Sequence, residues 1–109
     1  MSVKVGFSGI PKKIKTGKPI PIALAIKNDA EDEFKVKVKF FVKALRGSWS
    51  LYLGSAEFDV KPKSDEVYQT NLKFSMPSKS IQIFADVVIV DNKGSETKKR
   101  ISRRIYVTR

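Results

Sequence analysis

Residues 34–43, Phe-Lys-Val-Lys-Val-Lys-Phe-Phe-Val-Lys, alternate apolar and charged side chains almost without a break. A period of two is that of a β-strand, whose successive side chains point to opposite faces; an amphipathic helix needs apolar residues at i, i+3, i+4 and i+7. Phe34, Val36, Val38, Phe40 and Val42 make one face, and Lys35, Lys37, Lys39, Phe41 and Lys43 the other. That is an antiparallel strand with one buried face and one in water. No stretch of the chain has helical spacing over a helix's length, so helical architectures are excluded.

The same alternation runs through the rest of the chain. Val3, Val5 and Phe7 alternate up to Gly9. Pro11 and Pro19 flank a loop or short edge strand. Ile20, Ile22, Leu24 and Ile26 face one way and end at Asn28-Asp29, with Pro19 and Pro21 fitting at the strand's start or on an edge. Trp49, Leu51 and Leu53 predict a brief strand before Gly54, and Ala56, Phe58 and Val60 a second one, stopped at Lys61-Pro62. Tyr68, Leu72 and Phe74 mark another, stopped at Met76-Pro77. Residues 81–90 are apolar on both alternate sets, as in a central strand at least partly covered on both faces. Asp91-Asn92-Lys93-Gly94 predicts a tight hairpin turn in which Gly94 supplies the positive φ. In the last strand Ile101, Ile105 and Val107 share a face with Arg103, which calls for a bulge at that point or a place near the strand's exposed end.

Seven to eight short strands with turn signals between them argue for an antiparallel sandwich or barrel. The 109 residues suffice for one domain over 1–109 that buries about two-thirds of its unfolded surface. The expected core comprises Ile22, Leu24, Ile26, Val36, Val38, Phe40, Leu72, Ile83, Ala85, Val87 and Ile105.

Composition removes whole classes of function. The chain has no His and no Cys, which excludes thiolate nucleophiles, imidazole bases, disulfides and zinc sites of the usual ligand set. No apolar run is long enough for a transmembrane helix, and the N-terminus lacks a signal-like apolar region. If the chain is complete, these features and the missing Cys favour the cytoplasm. The net charge of +11 is unevenly spread. Residues 1–28 hold six Lys and no acid, residues 93–109 hold seven basic residues and Glu96, and the middle is nearly neutral. Lys enrichment without Cys fits a thermophile, although the Glu that usually balances it is missing.

Three stretches resemble a known fold family. Residues 15–28, KTGKPIPIALAIKN, resemble the A–B region of immunoglobulin-like sandwiches of the CARDB or fibronectin type III kind. Residues 53–64, LGSAEFDVKPKS, are similar to the D strand and following turn of such domains, and 88–94, VIVDNKG, to their F–G hairpin. The resemblance implies an immunoglobulin-like antiparallel sandwich of about seven strands. It also implies an adhesive, spacer or partner-binding module, usually part of a larger chain, with no catalytic residues. The chain departs from antibody-type domains in lacking their Cys…Trp…Cys core.

Two binding surfaces follow as expectations. In immunoglobulin topology the strands at 34–43 and 98–107 flank 81–90. Phe41, Phe84, Val88, Val90 and Tyr106 then form an outward strip bordered by cations. It reads as a protein interface, with a second copy of the chain as one candidate partner, or as a strip covered by the chain's own residues 44–54. The alternative is nonspecific binding of nucleic acid or another polyanion, with Phe41, Phe84 and Tyr106 stacking bases. Its cations are Lys12, Lys13, Lys15, Lys35, Lys37, Lys39, Lys98, Lys99, Arg100 and Arg104, on the premise that the two basic termini meet in space. The competing account is that Lys on edge strands blocks sheet-to-sheet aggregation. Trp49, in a loop with Arg46 and Tyr52, is expected in the core rather than in a binding loop. Asp29, Glu31, Asp32 and Glu33 read as a solvated turn rather than a calcium site. Asp86 is the one carboxylate expected to be buried and perturbed, but it has no nucleophile or base beside it. No enzyme, cofactor, metal or small-molecule substrate is expected.

Overall fold

The computed structural model describes residues 3–15, 17–44, 50–73 and 80–108. Among them are eight strands and no helix: β1 (Val3–Gly9), β2 (Lys13–Lys15), β3 (Ile20–Asn28), β4 (Phe34–Ala44), β5 (Ser50–Val60), β6 (Ser64–Leu72), β7 (Ser80–Val90) and β8 (Glu96–Thr108). They form a three-stranded sheet in the order β1-β3-β6 and a five-stranded sheet in the order β2-β8-β7-β4-β5. The first part of the chain therefore splits between sheets: β1 pairs antiparallel with β3, and β2 pairs parallel with β8. That parallel pair is the departure from a purely antiparallel sandwich.

The alternation explains the packing. Ile20, Ile22, Leu24 and Ile26 face inward from the small sheet, and Val36, Val38, Phe40, Val42, Ile83, Ala85, Val87, Ile89 and Ile105 from the large one. All eleven residues expected in the core are buried. Each fully buried Val, Leu, Ile or Phe contributes about 1.5–3 kcal/mol relative to exposure, so this layer is the main source of stability.

Several local expectations change. The two short strands expected around Gly54 are one strand, β5. Gly54 adopts φ +141°, and the β4–β5 register shifts beside it between Phe40 and Phe41. A Gly at positive φ carries the chain through an irregularity that would otherwise end the strand. Arg103 sits neither at a bulge nor at a strand end. The β7–β8 register is unbroken from 96 to 106, and Arg103 lies opposite Ile83 in mid-strand. It escapes burial at the sandwich's flank, where its guanidinium stands 5.9 Å from the Phe7 ring of β1. Trp49, Arg46 and Phe74 lie outside the described residues.

The turns that join the sheets are tied by one buried polar side chain. Asn28 is 1% exposed. Its Nδ2 donates to the carbonyls of Asp32 (2.9 Å) and Lys61 (3.0 Å), and its Oδ1 accepts from the Ala30 amide (2.9 Å). The acidic turn is thereby fastened to the β5–β6 turn, where Lys63, at φ +51°, also pairs with Glu31 at 3.4 Å. The β7–β8 turn closes as its residues predict: Gly94 is at φ +85°, and Asp91 Oδ1 accepts from the amides of Lys93 and Ser95.

Candidate partner-binding face

The outward face of the five-stranded sheet is ordered in rows by register. One row runs Glu57–Lys37–Val88–Lys98, the next Ser55–Lys39–Asp86–Arg100, the next Tyr52–Phe41–Phe84–Ser102, and a further one Ser50–Lys43–Gln82–Arg104. The expected strip is therefore assembled, with Val90 beside Lys35 and Tyr106 at the far end of β8.

Its aromatic centre is closed rather than open. The Phe41 and Phe84 rings stack at 5.1 Å with 10° between their planes, and Tyr52 tilts against Phe41 at 5.5 Å. On the other side of Phe84, the Arg100 guanidinium lies 4.7 Å from the ring centroid. Phe41 belongs to β4 and Arg100 to β8, on either side of β7, so the two faces of the Phe84 ring are both occupied. Phe84 is 9% exposed as a result, whereas Tyr52 (53%) and Tyr106 (50%) are open at the flanks. Tyr52 belongs to β5 and borders the strip instead of folding over it.

Asp86 is not buried as expected. It is partly exposed and bound bidentately by Arg100, with Nε to Oδ1 at 2.6 Å and Nη2 to Oδ2 at 3.2 Å. The hydrogen bond to Asp86, reinforced by its charge, raises the Arg100 guanidinium above its ordinary value. The sequence signal was available: Asp86 and Arg100 are both outward-facing, and the tight turn at 91–94 aligns them as cross-strand neighbours. Lys35 is likewise paired, with Glu57 at 3.2 Å. Among the described residues no acidic partner lies within ion-pair distance of Lys37, Lys39, Lys43, Lys98 or Arg104. A depression of about 560 Å³ is lined by Lys37, Lys39, Val88, Lys98, Lys99 and Arg100, with Asp86 and Glu96 also on its walls.

The two basic termini meet in space as expected. They meet at β2, where Lys13 and Lys15 pair with Tyr106 and Thr108 and Lys12 O accepts from the Tyr106 amide, and at β1, whose Phe7 ring lies 5.9 Å from the Arg103 guanidinium. Lys98 is eight residues up β8, about 27 Å along an extended strand. Lys99 pairs with Val87, so it lies on the inward parity and not on the outer face, although it is exposed.

No family model matches the chain, and no curated protein sequence matches it. Solved structures do. The CARDB domain of a Pyrococcus furiosus protein, solved in complex with di-metal ions, superposes with a TM-score of 0.68 at 15% identity, covering 96% of this chain and 91% of that one. The fold is an immunoglobulin-like sandwich. A β-glucosidase from Listeria innocua matches with a TM-score of 0.73 at 11% identity, but the chain covers 16% of that enzyme's length. The sporulation control protein Spo0M of Bacillus subtilis matches at 0.53 and 9% identity over 49% of its length. At these identities the likeness concerns the fold alone. Among the described residues no three His, Cys, Asp or Glu side chains converge as metal ligands, and no helix is long and apolar enough to cross a membrane.

Proposed function

We propose that this chain is a non-catalytic binding module that takes an acidic protein partner through the outer face of its five-stranded sheet. The observation that carries this reading is the row Lys37–Val88–Lys98, an apolar side chain set between two cations, neither of which forms an ion pair among the described residues. Half-buried Val88 and Val90 offer apolar contact that a phosphate backbone does not use, and open Tyr52 and Tyr106 flank the cations as residue types common in interface hot spots. With both faces of Phe84 occupied, the base-stacking platform that a single-stranded nucleic acid needs is reduced to the two flanking tyrosines. The surplus of cations also opposes a face-to-face pair of two copies.

The test is fluorescence anisotropy with a labelled polyglutamate peptide and, separately, a single-stranded oligonucleotide, at about 50 and 200 mM salt. The reading expects the peptide to bind and the Lys37→Glu, Lys98→Glu double variant to lose it. An oligonucleotide that outcompetes the peptide at both salts moves the assignment to nucleic acid. Unchanged peptide binding by the double variant refutes the site.

A further inference from the structure

The five-stranded sheet has an open side. β8 runs for thirteen residues, yet among the described residues the only strand pairing on its outer edge is that of β2 at 106–108. The backbone direction of each β8 residue follows from two facts. The Tyr106 amide donates away from β7, to Lys12 O at 2.9 Å, and the β7–β8 register is continuous. In an antiparallel pair, alternate residues exchange both hydrogen bonds with the partner strand and the others point away. The N–H and C=O groups of Lys98, Arg100, Ser102 and Arg104 therefore point to the open edge, in line with the groups that β2 already uses. The Ser102 carbonyl is engaged by the Arg103 guanidinium at 2.8 Å.

Charge limits what pairs there. Residues 98–104, Lys-Lys-Arg-Ile-Ser-Arg-Arg, carry five cations and no acid. Lys98 and Arg104 lie on one face, with Arg100 held there by Asp86, and Lys99 and Arg103 on the other, so a strand added at this edge meets cations above and below. A second β8 edge is repelled. The β5 edge of another copy is a poor match, because Gly54 and the adjacent register shift break it and Glu57 is already held by Lys35. An extended acidic segment satisfies both the backbone groups and the charges.

We propose that β8 binds an acidic, extended segment of a partner protein as an added strand over residues 98–104. This rests on the reading above that the partner is acidic, and it specifies how that partner docks.

The probes are two labelled peptides of equal length and charge, one alternating Glu and Val and the other alternating Glu and Pro, which has half its amide donors removed. The expected result is that the Glu-Val peptide binds about tenfold or more tightly than the Glu-Pro peptide, since several ladder hydrogen bonds distinguish them. Ser102→Pro removes an outward N–H that serves no strand in the free chain, and should abolish that preference. Amide exchange of the unsubstituted protein gives a readout independent of whether the proline variant folds. The amides of Lys98, Arg100, Ser102 and Arg104 should exchange fast in the free chain and become protected with the Glu-Val peptide. Equal binding of both peptides, with those amides unprotected, overturns strand addition and leaves the face reading standing. Failure of both peptides to bind overturns both readings. A concentration-dependent dimer that Ser102→Pro abolishes makes a second copy the occupant and overturns the acidic segment.

Discussion

The two outer faces of this sandwich cover one core and obey one alternation, yet they are equipped differently. On the large sheet Lys37, Lys39, Lys43, Lys98 and Arg104 surround the cluster of Tyr52, Phe41, Phe84 and Arg100. On the small sheet the outward positions include Lys4 and Gly6 from β1, Pro21, Ala23, Ala25 and Lys27 from β3, and Asp65, Val67, Gln69 and Asn71 from β6. One face projects long cationic and aromatic side chains; the other carries mostly small or uncharged ones around Lys4, Lys27 and Asp65. Burial dictates what the inward set must be, since both sheets turn the same Val, Ile and Leu chemistry to the middle. It places no such demand on the outward set, which is free to differ with function.

The largest effect should come from what the faces share. Phe40 is 2% exposed at the centre of β4, and Phe40→Ala should cost about 3–5 kcal/mol in urea denaturation. A loss below about 1 kcal/mol would mean that the faces do not stand on a common core. Next is the joint between the sheets. Asn28→Ala leaves the Asp32 and Lys61 carbonyls and the Ala30 amide without their partner, at a cost of about 1–3 kcal/mol. Amide exchange should quicken first in the turns at 29–33 and 61–63, and quickening confined to β1 would place the joint elsewhere. The comparison itself is tested by equal charge changes on opposite faces. Lys37→Glu with Lys98→Glu should weaken acidic-peptide binding by about tenfold or more, and Lys4→Glu with Lys27→Glu by about twofold or less. Equal losses would reduce the contrast to net charge. The smallest effect is Asp86→Asn, which releases Arg100. Stability should hardly change, because the pair is exposed and screened by solvent, while peptide affinity rises a few-fold; a fall in affinity would assign Asp86 to the partner contact.

Much of this was legible in the sequence because period two is local. The inward faces of β3, β4 and β7 follow from their own residues, and Gly94 from the turn it must close. The outward strip on β4, β7 and β8 was legible too, because the short turn between β7 and β8 fixes which residues stand opposite. What failed depended on neighbours distant in the chain. Gly54 looked like a strand end because Gly usually interrupts strands; pairing with β4 on both sides of it holds β5 together. Asp86 looked buried because its strand is apolar on both sides, yet it lies at an outward position where Arg100 reaches it. The basic termini do meet, but through a parallel β2–β8 pair, because the chain splits its first part between the two sheets.

By itself, then, the sequence determined that the chain is all-β, eleven of the residues that build its core, where β7 turns into β8, and that the excess charge lies at its ends. The tertiary structure alone decided that Phe84 is clasped between Phe41 and Arg100, that Asn28 ties two turns, and that the edge of β8 lies open over its cationic stretch. The physical reason is range. Alternation and turn chemistry act over a few residues, whereas strand partners, edges and cross-strand contacts are set by whatever the rest of the chain brings alongside.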